Sequence, residues 1–148
     1  MSALPSNTAP SRKTVWAGRA LTFLAGSFLT FDTAVKLLNL PVAVQANAQL
    51  GYPEHLVVPI GLIELACAAL FLLPHTSLVG AVLMTGYLGG AVATQLRVGN
   101  PLATHVIFPF YVAALIWGGL LLRDARLRAC LSDIVIGRSR LETAWRNA

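Results

Sequence analysis

Three ionisable side chains, Asp32, Lys36 and Glu64, lie inside long apolar stretches where charge is expensive to hold. On insertion scales a charged group at the centre of a bilayer costs about 2.5–3.5 kcal/mol, so each one asks for a partner or a task. Asp32 and Lys36 are four residues apart, which on a helix sets them on one face, and pairing there cancels much of the burial cost. Two roles fit them: a structural pair, with Lys36 free to snorkel to the interface instead, or part of a binding pocket. Glu64 stands mid-stretch with no basic residue near it in sequence. A lone central carboxyl suits a proton carrier or a ligand for a polar headgroup. It equally suits a hydrogen bond to a neighbouring helix.

The elements that must position these groups follow from composition. Of 148 residues, 56% are hydrophobic and 11% charged, with a mean hydropathy of +0.69. Soluble proteins carry about 25% charged residues, and disordered chains need low hydrophobicity and high charge, so both classes are excluded. Four apolar stretches, at about 16–40, 56–73, 78–96 and 104–122, approach the ~20 residues that cross a bilayer as a helix. Pro41, Pro74 and Gly99-Asn100-Pro101 punctuate them, and Pro59 and Pro109 fall in or near first turns, where a missing N–H is harmless. The expected fold is all-α, an integral membrane four-helix bundle spanning 16–122. It is flanked by a mobile tail over 1–15 and a basic tail over 123–148.

Consecutive spans alternate direction, so positions can be matched by depth. Asp32 and Lys36 meet Gln95 and Arg97 at the end of the third span, and His105 opens the fourth at the same level. Tyr52, Glu54 and His55 come from the linker 41–55, and Tyr87 of the third span completes the candidate set. A polar pocket open to one face is the expectation, with helix rotation undetermined by depth alone. Small residues form ridges at packing spacing, Gly18, Thr22, Gly26, Thr30 and Ala34 on the first span and Gly86, Gly90 and Thr94 on the third. These are read as helix-packing surfaces, and they also permit a homo-oligomer.

Charge distribution gives orientation. Arg123, Arg126, Arg128, Arg138, Arg140 and Arg146 crowd the last fifth of the chain, and Arg12, Lys13 and Arg19 the start. The linker 41–55 has no Lys or Arg, and the 97–103 linker has one. The positive-inside rule therefore places both termini in the cytoplasm. No basic stripe interleaves with aromatics, so the basic balance reads as membrane orientation rather than nucleic-acid binding. Ala46-Asn47-Ala48 resembles a signal cleavage site, but the preceding run is too long and carries Asp32 and Lys36, so a retained anchor is expected. Leu127, Leu131, Ile134, Leu141 and Trp145 recur at helical spacing after the last span, as in an interfacial helix or a solvated charged tail.

Metal, haem and nucleotide motifs are missing from the sequence. His55, His75 and His105 are scattered, and Gly86-Tyr87-Leu88-Gly89-Gly90 does not match a phosphate-binding spacing.

A series of short motifs runs from Phe31 to Arg128: Phe31-Asp32 with Lys36-Leu37, Leu50-Gly51-Tyr52-Pro53, and Gly61 with Glu64-Leu65. Pro74 with Thr76, Thr85-Gly86-Tyr87-Leu88-Gly89-Gly90-Ala91, and Arg97 with Gly99-Asn100-Pro101 come next. Phe108-Pro109, Trp117-Gly118-Gly119-Leu120 and Leu122-Arg123-Asp124 with Arg126-Leu127-Arg128 close the series. Their order and spacing resemble the DoxX-like family of small four-span membrane proteins. Relatives often carry Arg in place of His75 and His in place of Gln95. The resemblance implies a bundle in a prokaryotic plasma membrane. Because related proteins include a small membrane subunit of a thiosulfate:quinone oxidoreductase, it also implies an accessory or anchoring subunit of a quinone-linked redox system. A membrane or cytoplasmic oxidoreductase partner, and a quinone as its cofactor, belong to that reading. Two other readings stay open: a small proton-coupled transporter using Asp32, Lys36 and Glu64, and a scaffold or assembly factor.

Overall fold

In lipid every backbone N–H and C=O must be satisfied within the segment, and the apolar stretches accordingly fold as helices. A computed structural model describes residues 11–125 and 127–132. Helices α1 (Arg12–Leu37), α2 (Pro41–Gln49), α3 (Val57–Leu72), α4 (Ser77–Arg97) and α5 (Phe108–Arg123) follow in order. A 3₁₀ turn, Glu54–Leu56, leads into α3, and a π turn, Leu102–Val106, leads into α5. There is no strand among the described residues. Four of these elements are long and apolar enough to cross a membrane: Arg12–Leu37, Glu54–Leu72, Ser77–Arg97 and Leu102–Arg123.

Helix boundaries differ from those read off hydropathy, for identifiable reasons. The first helix starts at Arg12 rather than residue 16, because Ser11 caps it by accepting from the Thr14 backbone N–H at 3.2 Å. It ends at Leu37 rather than residue 40, because Asn39 adopts a left-handed conformation (φ 48°). The Leu40 N–H then returns to the Val35 carbonyl at 3.1 Å and the Asn39 N–H to Lys36 at 3.0 Å, a Schellman closure. Gly51 (φ 81°) and Gly99 (φ 71°) close α2 and α4 in the same way. The linker 41–55, expected as a loop, contains the nine-residue α2, with Pro41 at its first turn. The expected interfacial helix lies beyond residue 132 for most of its length, and residues 1–10 of the expected tail also lie outside the described residues.

The four long helices close a ring: α1 packs on α3 and α5, and α4 packs on the same two, leaving α1 and α4 diagonally opposed. Leu29, Phe71, Met84 and Ile116 fill its centre, none more than 1% exposed. Two close approaches fix the ring. At the α1–α5 crossing a Cβ on Gly18 would lie 2.8 Å from the Arg123 backbone nitrogen, and one on Gly119 2.9 Å from that of Thr22. Where α4 starts beside the end of α3, Gly80 lies directly against the backbone of Phe71. The outside is apolar, with Phe23 75% and Phe31 70% exposed, and no more than a third of any spanning window is buried within the chain. Such continuous apolar exposure is a surface for lipid.

Candidate functional site

One helical face from each long helix borders a cavity of about 470 Å³ in the half of the bundle nearest α2. Phe28, Asp32 and Lys36 recur every fourth residue on α1; Ile60, Ile63 and Glu64 come from α3. Tyr87, Gly90, Ala91, Thr94 and Gln95 follow the same period on α4, and His105, Phe108, Pro109 and Val112 continue it into α5. Asn47, Leu50 and Tyr52 enter from α2 and the linker after it.

Lys36 organises the polar part. Its Nζ donates to Asp32 Oδ2 at 2.5 Å, Glu64 Oε2 at 2.7 Å and Tyr87 Oη at 3.1 Å. The Tyr87 hydroxyl in turn donates to Glu64 Oε2 at 3.0 Å. Three helices, including the diagonal pair α1 and α4, are thus tied through one ammonium, whose three hydrogens are all engaged. Burial grades the cluster: the Lys36 side chain is 13% exposed, Glu64 1% and Asp32 39%. Glu64, isolated in sequence, is therefore paired in space. Lys36 does not snorkel outward, because two carboxylates inside the bundle hold its head more favourably than the interface would.

The remaining candidates separate. Gln95 and His105 line the cavity, Gln95 accepting from Asn100 Nδ2 and His105 Nδ1 sharing a hydrogen bond with Thr104 at 2.8 Å. Arg97 does not line it; its guanidinium turns to the linker and donates to the Leu50 carbonyl at 2.7 Å. Glu54 and His55 border a separate shallow depression with Asn39 and Val58, where Asn39 donates to Glu54 at 3.2 Å. Tyr52 does reach the cavity and shares a hydrogen bond with Thr94 at 2.9 Å.

Two features escaped the sequence reading. Asn47, noticed there only within a cleavage-like tripeptide, is buried in α2, donates to the Ala43 carbonyl at 2.9 Å and lines the cavity. The ridge on α4 is also not a packing surface along its length: a Cβ on Gly86 or Gly90 would meet nothing within 4 Å. Both glycines border the cavity, so small residues there make space instead of contact. On α1 the ridge packs at Gly18, against α5, and at Gly26, against Leu72 of α3, while Thr30 of the same ridge is exposed.

The sequence profile of the DoxX-like family matches residues 20–119. The chain belongs to the DoxX-like family. That span contains the whole Asp32–Lys36–Glu64–Tyr87 cluster and every residue bordering the cavity. This DoxX-like protein is accordingly a multi-pass helical membrane protein. No curated protein and no solved structure matches the chain. Among its described residues no group of three His, Cys, Asp or Glu side chains could hold a metal ion.

Proposed function

We propose that this DoxX-like protein binds a small amphiphilic molecule in the cavity between its four helices, with the cluster around Lys36 as the polar anchor. The observation that carries the reading is the placement of a buried charged network beside open space of about 470 Å³. Ligand pockets occupy about 300–1,000 Å³ and combine apolar walls with a few placed polar groups. Phe28, Ile60, Ile63, Phe108 and Val112 supply such walls. In this reading both termini are cytoplasmic and the cavity lies in the outer half of the membrane. The basic residues Arg12, Lys13, Arg19 and Arg123 at the opposite end support that orientation. An accessory role in a quinone-linked redox system would give the cavity a quinone and the chain an oxidoreductase partner; the apolar walls suit a quinone's ring and tail as they suit any lipophilic body.

A proton-coupled carrier is the second reading, favoured by two carboxylates sharing a single ammonium. One carboxylate is then unmatched in charge and can take up and release a proton.

Mass spectrometry of the protein purified from native membranes in mild detergent tests the first reading. The expected result is a retained small molecule that is lost in Gly90→Leu, which fills the cavity from a position with free space around it. A stoichiometric oxidoreductase in the same sample would establish the accessory role. Absence of any bound molecule from both proteins would overturn the binding reading, and proton flux through the lone reconstituted protein would replace it.

A further inference from the structure

The hydrogen-bonding inventory of the cluster around Lys36 is one-sided. Every donor in the central cluster is used within it: the three Nζ hydrogens of Lys36 go to Asp32, Glu64 and Tyr87, and the Tyr87 hydroxyl goes to Glu64. The acceptors are not exhausted. Among the described residues no N–H or O–H donor reaches Asp32 Oδ1, and Asp32 borders the cavity with its side chain 39% exposed. Formal charge leans the same way, with two carboxylates against one ammonium. Arg97, at the C-terminal end of α4, is turned to the Leu50 carbonyl and does not line the space.

We infer that the cavity's ligand is a lipophilic organic cation bearing an N–H donor, a protonated amine on an apolar or aromatic body, with Asp32 as its counter-ion. The inference rests on the reading of this cavity as a small-molecule site. An ammonium supplies both things the cluster around Lys36 lacks, a second positive charge and a hydrogen for the free Asp32 oxygen, and a charge-assisted bond of this kind is strong where water is scarce. A quinone offers only acceptors: Lys36 would have to release a protein partner to meet it, which leaves it the neutral donors of Gln95 and His105 at the cavity wall and leaves Asp32 without a counter-ion. Phe28 and Phe108, edge to face with ring centroids 5.4 Å apart, line the same space and suit an aromatic body or a cation over a ring face. Asp32 is the accessible counter-ion, its side chain being 39% exposed where Glu64 is 1% exposed. An ethanolamine lipid carries the same ammonium together with a phosphate, and the phosphate would find no free donor in the cluster. The free amine is therefore the assigned source.

The test measures binding to the full chain in phosphatidylcholine nanodiscs, corrected for empty discs, of radiolabelled 4-phenylbutylamine. Unlabelled 4-phenylbutan-1-ol and decylubiquinone serve as competitors, and each is also assayed directly in radiolabelled form. The expected result is an amine at least tenfold tighter than the matched alcohol, with that ratio falling to about twofold in Asp32→Asn. In that variant Lys36 still holds Glu64, so the cluster persists. Binding of the alcohol or the quinone as tightly as the amine would overturn the cation assignment and leave the cavity a small-molecule site. No saturable binding of any of the three would overturn both. Displacement of the amine by phosphatidylethanolamine added to the discs would overturn the free amine as the source.

Discussion

Gly61 of α3 faces Lys36 of α1 so closely that a Cβ on Gly61 would stand 2.9 Å from the Lys36 Cβ. That approach places Glu64, one helical turn further along α3, within 2.7 Å of the Lys36 ammonium. The obstructing atom is next to the backbone, so a larger residue must move a helix rather than a flexible side-chain end. Gly61→Ala is expected to destabilise by about 1–3 kcal/mol, the usual cost of overpacking. Gly89→Ala, where a Cβ meets nothing within 4 Å, is expected to be neutral or slightly stabilising. Thermal denaturation of both in the same detergent checks the contrast, and equal shifts would remove the close approach as its cause.

Lys36 is the one member of its cluster whose loss strands two charges. Lys36→Met should cost about 3–5 kcal/mol, as breaking a buried pair does. Asp32→Asn should be mild, since Lys36 keeps Glu64 and Tyr87. A pair of Asp32 and Lys36 alone would have Lys36→Met compensate Asp32→Asn. With Glu64 in the cluster, that double variant leaves a buried carboxylate alone, and compensation needs Glu64→Gln with Lys36→Met. Yield of monodisperse protein across the set reads this out, and a Lys36→Met variant as well tolerated as Asp32→Asn would contradict the network.

The α1–α5 crossing predicts a different grading among α1 glycines. Gly18→Ala meets the Arg123 backbone nitrogen at 2.8 Å and the Gly119 carbonyl at 2.9 Å, atoms that cannot yield without separating the helices. Gly26→Ala meets Leu72 Cδ2 at 2.7 Å, the end of a side chain that can change rotamer. Gly18→Ala should lower the unfolding midpoint several times more than Gly26→Ala. The reverse order would place the tight crossing elsewhere.

Orientation has its own test. A reporter fused after Ala148 should be cytoplasmic, and one inserted after Gln49, at the end of α2, should be external. Signals on the opposite sides would invert the protein and set the cavity in the inner half of the membrane.

Four membrane-length helices were legible in the sequence because hydropathy over about 20 residues needs no partner to be read. Asp32 and Lys36 were legible as a pair because their spacing of four is local to one helix. Glu64 as the second partner of Lys36 was not, since 28 residues separate them and only helix rotation aligns them. The same limit moved Arg97 out of the cavity and brought Asn47 into it. It also split the two glycine ridges, one packed and one open, although their spacing is alike. Residue type and period determine which side chains share a face; what that face meets is decided by how neighbouring helices turn and how near they come, and that is set by tertiary packing.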